Sequence, residues 1–221
     1  MDLLRSTFGT SRLVRLLGEW TPVEPEAGGM DFAERLSLSL DAFDAIRLQS
    51  AQQAIRAMHV APVTKPSAPR RQDLAADLQG ARGTLGRAIA QDPVKLAGIA
   101  AEEVTYAVFR ERHADLQRQM DLLVKPLRDH VRQSLARTAP RLRQLAALDA
   151  VLEDMLAPRE QALWPTTPTL LQRRFEQLRA EGQQQHFIND WRQALLAELD
   201  LRLEPVAGMI DALANESRKQ Q

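Results

Sequence analysis

Residues 140–165 read PRLRQLAALDAVLEDMLAPREQALWP. Leu142, Leu145, Leu148, Leu152 and Met155 return at steps of three, three, four and three, with arginines and acids between them. That is the period of a helix with one apolar side. The run is close to heptad spacing but too short and too rich in alanine for a coiled coil, so it reads as one seam of a helical bundle. The seam needs a partner. Thr138-Ala139-Pro140 is a short turn with a restart, which makes the helix before it an antiparallel neighbour.

Upstream of that turn, Asp92-Pro93 is a start signal, with Asp as N-cap and Pro at the first helical position. Val104, Val108, Leu116, Met120, Leu123, Leu127, Val131 and Leu135 keep a helical repeat from there to Thr138. The expected element is one very long helix, roughly 65 Å at ~1.5 Å per residue. Pro126 should kink it near Leu122–Leu123. A preceding helix is expected from Gln72 to Gln91. Downstream, Pro158 is expected to break the opening helix or start a further turn. Thr167-Pro168 caps another helix, which Gly182 stops. A last helix should run from Gln184 to Ala214 with a kink at Pro205.

Before residue 71 the chain reads differently. Ser11 caps a short amphipathic helix with Leu13, Leu16, Leu17 and Trp20 on one face, and the Pro/Gly cluster after Trp20 ends it. Asp31 opens a second helix, reaching to Met58. Residues 59–70 carry Pro62, Pro66 and Pro69, a spacing that forbids helix and favours an extended linker. No segment alternates as a strand does, and no Asn-Gly or Asp-Gly hairpin turn occurs. The expected fold is all-α: an elongated antiparallel helical bundle with one very long kinked helix, preceded by a smaller N-terminal helical unit. Its divisions are 1–58 for that unit, 59–70 for the linker, 71–214 for the bundle and 215–221 for a polar, frayed tail.

Composition narrows the function. Basic and acidic residues number 29 each, so the global positive surplus of a nucleic-acid binder is missing. There is no cysteine, which excludes disulfides and thiolate metal sites. Aromatics are only 5%, in keeping with helix over sheet. No stretch of about 18 apolar residues could span a bilayer, and the first residues lack the apolar core of a secretory signal. The expected address is cytoplasmic.

Motifs for chemistry are sparse. His59, His113, His130 and His186 form neither HExxH nor Glu-x-x-His, so no metal site is expected. There is no nucleophile elbow, and no catalytic residue or cofactor is assigned. Glu102, Tyr106, Arg110 and His113 fall along one side of the long helix and could line a pocket, though a boundary row making local bonds is the favoured reading. Gly80, Gly83 and Gly86 are read as helix glycines that permit close approach or loosen the helix, not as a phosphate loop. Residues 110–143 hold nine cationic side chains against four acidic ones. Arg118, Lys125 and Arg132 repeat every seven residues and could track a phosphate backbone. Asp121 lies four before Lys125, however, the favourable order for a helix ion pair, so a salt-bridged, solvated face is preferred. The Ser11 helix sets Arg12 and Arg15 opposite Leu and Trp20; docking on the bundle is preferred to lying on a membrane. These six residues (Arg12, Arg15, Trp20, Arg118, Lys125, Arg132) are the candidate interaction residues.

Four stretches carry a family likeness: SRLVRLL at 11–17, FAERLSLSLDAFDAI at 32–46, LRQLAALDAVLEDMLAPRE at 142–160 with LLQRRFEQLR at 170–179, and LLAELDLRLEPVAGMIDAL at 195–213. In order and phrasing they resemble the proteobacterial domain of unknown function 3348 family. These are helix patterns, not catalytic signatures, and the family supplies no site residues to transfer. Its genes tend to sit beside those for OmpA/MotB-like and MotA/TolQ-like membrane proteins. The resemblance therefore implies a non-enzymatic scaffold or regulatory accessory of an envelope assembly, peripheral to the inner membrane, with protein partners. Narrow bundles leave apolar stripes to cover, so self-association is also expected. The rival expectation is a nucleic-acid-associated protein using the face at 110–143.

Overall fold

A computed structural model describes residues 11–20, 42–57, 71–98 and 103–219. Every regular element among them is helical. In chain order these are α1 Arg12–Trp20, α2 Ala42–Ala57, α3 Arg71–Ala90, α4 Pro93–Ala97, α5 Tyr106–Ala136, α6 Pro140–Leu163, α7 Thr166–Ala180 and α8 Gln184–Lys219. The fold is all-α, as the periodicity indicated. The expected linker at 59–70 and the first half of the Asp31 helix lie outside the described residues.

The long kinked helix is present, but not where the sequence placed it. Asp92 caps α4 as expected, its side chain accepting from the Val94 N–H at 3.0 Å. The helix then stops at Gly98, whose φ of 65° lies in the left-handed region open to glycine. No single helix therefore runs from Pro93 to Thr138. The long bent element lies downstream. Trp164 (φ −54°, ψ −37°) and Pro165 (φ −65°, ψ −15°) keep helical dihedrals, so α6 and α7 continue one another from Pro140 to Ala180. Nor does Pro158 break α6; it lies inside the helix. It only removes one N–H from the ladder, and the two flanking turns hold the helix. Gly182 ends α7 as expected, at φ 70°, with the Gln183 N–H reaching back to the Leu178 carbonyl at 2.7 Å.

At the centre lies α8. Its apolar stripe (Phe187, Ile188, Trp191, Leu195, Leu199, Leu203, Val206, Ile210, Leu213) is buried almost throughout. Leu74, Leu78, Leu85 and Ile89 of α3 and Phe109, Leu116, Met120, Val131 and Leu135 of α5 complete the same core. The stripe of α5 departs from expectation in mid-helix. Val124 is buried while Leu123 is 40% exposed, and Phe109 and His113 take inward positions not foreseen. The far end of α8 also corrects an expectation: it stays helical through Lys219, where a frayed tail from 215 was expected. Ser217 Oγ bonds the Leu213 carbonyl there, and Arg218 bonds Asn215.

Direction follows from the contacts. Arg128 and Arg132 of α5 reach Asp149 and Glu153 of α6 across the short turn, so these helices are antiparallel, as expected. Phe109 meets Phe187, Gln117 meets Glu198 and Asp121 meets Arg202. These partners advance together, so α5 and α8 run parallel. The α6–α7 run carries the chain back between them. The opening seam thus faces α5 on one side and α2 on the other. Between two neighbours Leu145, Leu148 and Leu152 are only half-buried, while Leu142, Ala146 and Met155 are buried.

Candidate functional site

Among the described residues, two clusters of inward-turned polar groups join several charges at once, while Asp44 with Arg159 and Arg174 with Asp190 form simpler pairs. The first joins α5 to α8. His113 and Glu198 have no exposed side-chain surface, and His113 Nε2 stands 3.5 Å from Glu198 Oε2. That is ion-pair range, but long for a well-formed hydrogen bond. The other carboxylate oxygen is well served. Glu198 Oε1 accepts from Gln117 Nε2 at 3.0 Å and from Arg202 Nε and Nη2 at 3.2 and 2.8 Å. Arg202 also bonds Asp121 and lies 4.2 Å from the centroid of the Trp164 ring. One guanidinium thus ties α8 to α5 and to the bend between α6 and α7. Burial pushes the Glu198 carboxyl up, but His113, Arg202 and Gln117 outweigh it and hold the group below its ordinary range. The carboxylate is therefore kept ionised inside the protein.

The second cluster joins α5 to α6. Arg128 Nε and Nη2 donate to both oxygens of Asp149 at 2.9 and 2.7 Å, a two-pronged arrangement suited to a planar guanidinium. Arg132 Nε donates to Asp149 at 2.7 Å, and its Nη2 bonds Glu153. Burial raises the Asp149 pKa, yet the bonds and charges of Arg128 and Arg132 prevail and lower it. Burial would lower that of Arg132, and Glu153 and Asp149 reverse the sign.

The expected row at Glu102–His113 comes apart. Glu102 lies outside the described residues, and Arg110 is exposed. Tyr106 is buried against Phe175 and Phe187, its hydroxyl donating to the Pro168 carbonyl at 2.5 Å. Burial raises its pKa, against a smaller opposing effect of Arg110. His113 faces α8 instead of a shared pocket. Among the described residues, no group of three or more His, Cys, Asp or Glu is placed to hold a metal ion.

The heptad cations also separate. Arg132 sits inside the α5–α6 network, its side chain 13% exposed, so it faces no external phosphate. Arg118 is 69% exposed and lies 3.4 Å from Asp115. The expected pair between Asp121 and Lys125 is absent. Asp121 bonds Arg202 and Asp129 bonds Arg132 at 2.8 Å, leaving Lys125 exposed with no carboxylate partner among the described residues. Together with Leu122 and Pro126 these groups line a shallow depression on the outer side of α5. On α1, Arg12 bonds Gln193 and lies 3.4 Å from Asp200. Leu13 is buried and Trp20 packs at the edge of the core, while Arg15 stays exposed. The docked position of α1 matches the reading preferred from its sequence.

Glu198 was missed altogether. Its signal was present in ALLAELDLRLEP, where Glu198 falls on the stripe between Leu195 and Arg202 with the four-residue spacing of a helix ion pair. An acid on an apolar stripe with a matched arginine reads as a buried pair once its neighbours are known to be buried.

A family model described as "Protein of unknown function (DUF3348)" matches residues 2–215. No curated protein and no solved structure matches the chain.

Proposed function

We propose, from the premise that the chain belongs to the DUF3348 family, that it is a non-enzymatic helical scaffold or regulatory accessory protein working through contacts with other proteins. One observation carries this reading. The inward-facing charges bond one another across helices, as Arg128 and Arg132 do with Asp149 and Glu153, whereas unmatched groups such as Leu122 and Lys125 lie outside on α5. Interior pairs of that kind tie helix to helix and leave those charges no free partner to offer a ligand. The outer face is then what meets a partner. The nearer identity of those partners, MotA/TolQ-like and OmpA-like envelope proteins, rests on the gene neighbourhood implied by the family resemblance. No helix among the described residues is long and apolar enough to cross a membrane, so the proposed position is peripheral, on the cytoplasmic side.

The nucleic-acid alternative draws less support. Arg132, one of the three heptad-spaced cations it relied on, is engaged by carboxylates of α6, as is Arg128 in the same stretch. Pull-down of the native protein from detergent-solubilised cells, read by mass spectrometry, tests the proposal. Recovery of the neighbouring membrane proteins is expected, and clean recovery of this chain alone would contradict it.

A further inference from the structure

The spacing of residues on the outer face of α5 is the same in both directions along the helix. Arg118, Leu122, Lys125 and Asp129 follow one another at steps of four, three and four, so they share one side. Leu122 is the most exposed large apolar residue among the described residues, at 74%. Arg118 and Asp129 keep 69% and 49% of their side-chain surface. Lys125 is exposed, its two nearest helix acids having turned to Arg202 and Arg132.

We propose that this face pairs with the same face of a second copy of the chain, antiparallel about a two-fold axis passing between Leu123 and Val124. In that register Arg118 of each copy meets Asp129 of the other. Leu122 packs on the aliphatic stem of the opposing Lys125, and the two Leu122 side chains adjoin across the axis. The result is a small apolar centre between two ion pairs, the self-complementary pattern that a two-fold interface requires. Pro126 adds to it. Lacking an N–H, it leaves the Leu122 carbonyl without its intrahelical donor, and the opposing ammonium can supply one. A parallel register would set Lys125 against Lys125. An anionic surface, whether nucleic acid or lipid, would meet the exposed carboxylates of Asp121 and Asp129 on the same side.

The seam covers only about three turns, well short of the ~800 Å² per partner of a standard interface. Association is therefore weak, with Kd on the order of 1–100 µM. This inference stands apart from the envelope-partner reading, which is tested by recovery from cells.

Sedimentation velocity of the full chain, from about 1 to 300 µM, tests it. The wild type shifts from monomer toward dimer across that range. Leu122→Lys, which sets like charges against the opposing Lys125 and against itself across the axis, stays monomeric with an unchanged circular dichroism spectrum, since the side chain it replaces packs on little within its own chain. Arg118→Asp weakens dimerisation about tenfold or more, and adding Asp129→Arg to it restores the dimer, because the opposed charges are exchanged together. A wild type that stays monomeric throughout overturns the proposal, as does a dimer indifferent to Leu122→Lys or a double exchange without rescue. Binding of a DNA duplex or of phosphatidylglycerol vesicles that Lys125→Glu abolishes, without self-association, would overturn it too.

Discussion

Glu198 of α8 and His113 of α5 face each other across 3.5 Å, both with no side-chain surface exposed to solvent. Glu198 also takes bonds from Gln117 and Arg202, so one buried carboxylate links three side chains of the two parallel helices. Removing it leaves buried charge with less compensation. Glu198→Leu leaves His113 and Gln117 without their carboxylate partner and Arg202 with Asp121 alone, and should lower stability by about 3–5 kcal/mol. Glu198→Gln, which can keep bonds to Gln117, should cost less. Urea denaturation of the variants at neutral pH measures both.

The acid limb of stability follows from two carboxylates. Glu198 and Asp149 both have folded pKa values lowered from the ordinary 4.5 and 3.8. The unfolded chain therefore binds more protons as pH falls, so stability increases with pH across the acidic range. Their contribution is complete above the ordinary values and is lost as pH drops through the lowered ones. Urea midpoints between about pH 6 and pH 3 should fall steeply for the wild type and less steeply for Glu198→Gln/Asp149→Asn.

The α5–α6 network should behave as a coupled unit. Arg132 bonds Asp129, Asp149 and Glu153 at once, so single deletions leave stranded charges. A double-mutant cycle of Arg132→Met with Asp149→Leu should return a coupling energy of about 1–3 kcal/mol. A value near zero would show that the network does not act cooperatively.

Gly80 and Gly86 lie inside α3, where an added Cβ would meet nothing within 4 Å. Close helix approach, one of the two readings drawn from their spacing, is therefore not what they provide; they loosen the helix. Gly80→Ala and Gly86→Ala should each raise stability by about 0.5–1 kcal/mol. Thermal melts of the two variants check this, and a loss of stability would contradict it.

Much of the fold was legible because helical periodicity is a local property. The stripes of α3 and α8, the Asp92 cap and the Gly182 stop were all readable from single segments. Gly98 was not. A lone glycine in KLAGIAA is tolerated inside many helices, and nothing in the local sequence marks that it takes a left-handed turn here. The charge pairs were the least legible. Asp121 had a suitable cation four residues on, yet it bonds Arg202, which is 81 positions away. Sequence spacing shows which pairs can form within one helix; it cannot show that a partner from another helix competes better.

The central claim is that the buried polar groups hold the bundle together while its outer surface engages other proteins. Parallel pull-downs of the wild type and the His113→Gln/Glu198→Gln variant from detergent-solubilised cells, quantified by mass spectrometry, test it most directly. The account predicts that both recover the same envelope proteins in similar amounts, the variant being less stable but folded. Recovery of no partner by the wild type, or loss of every partner by a folded variant, would contradict it.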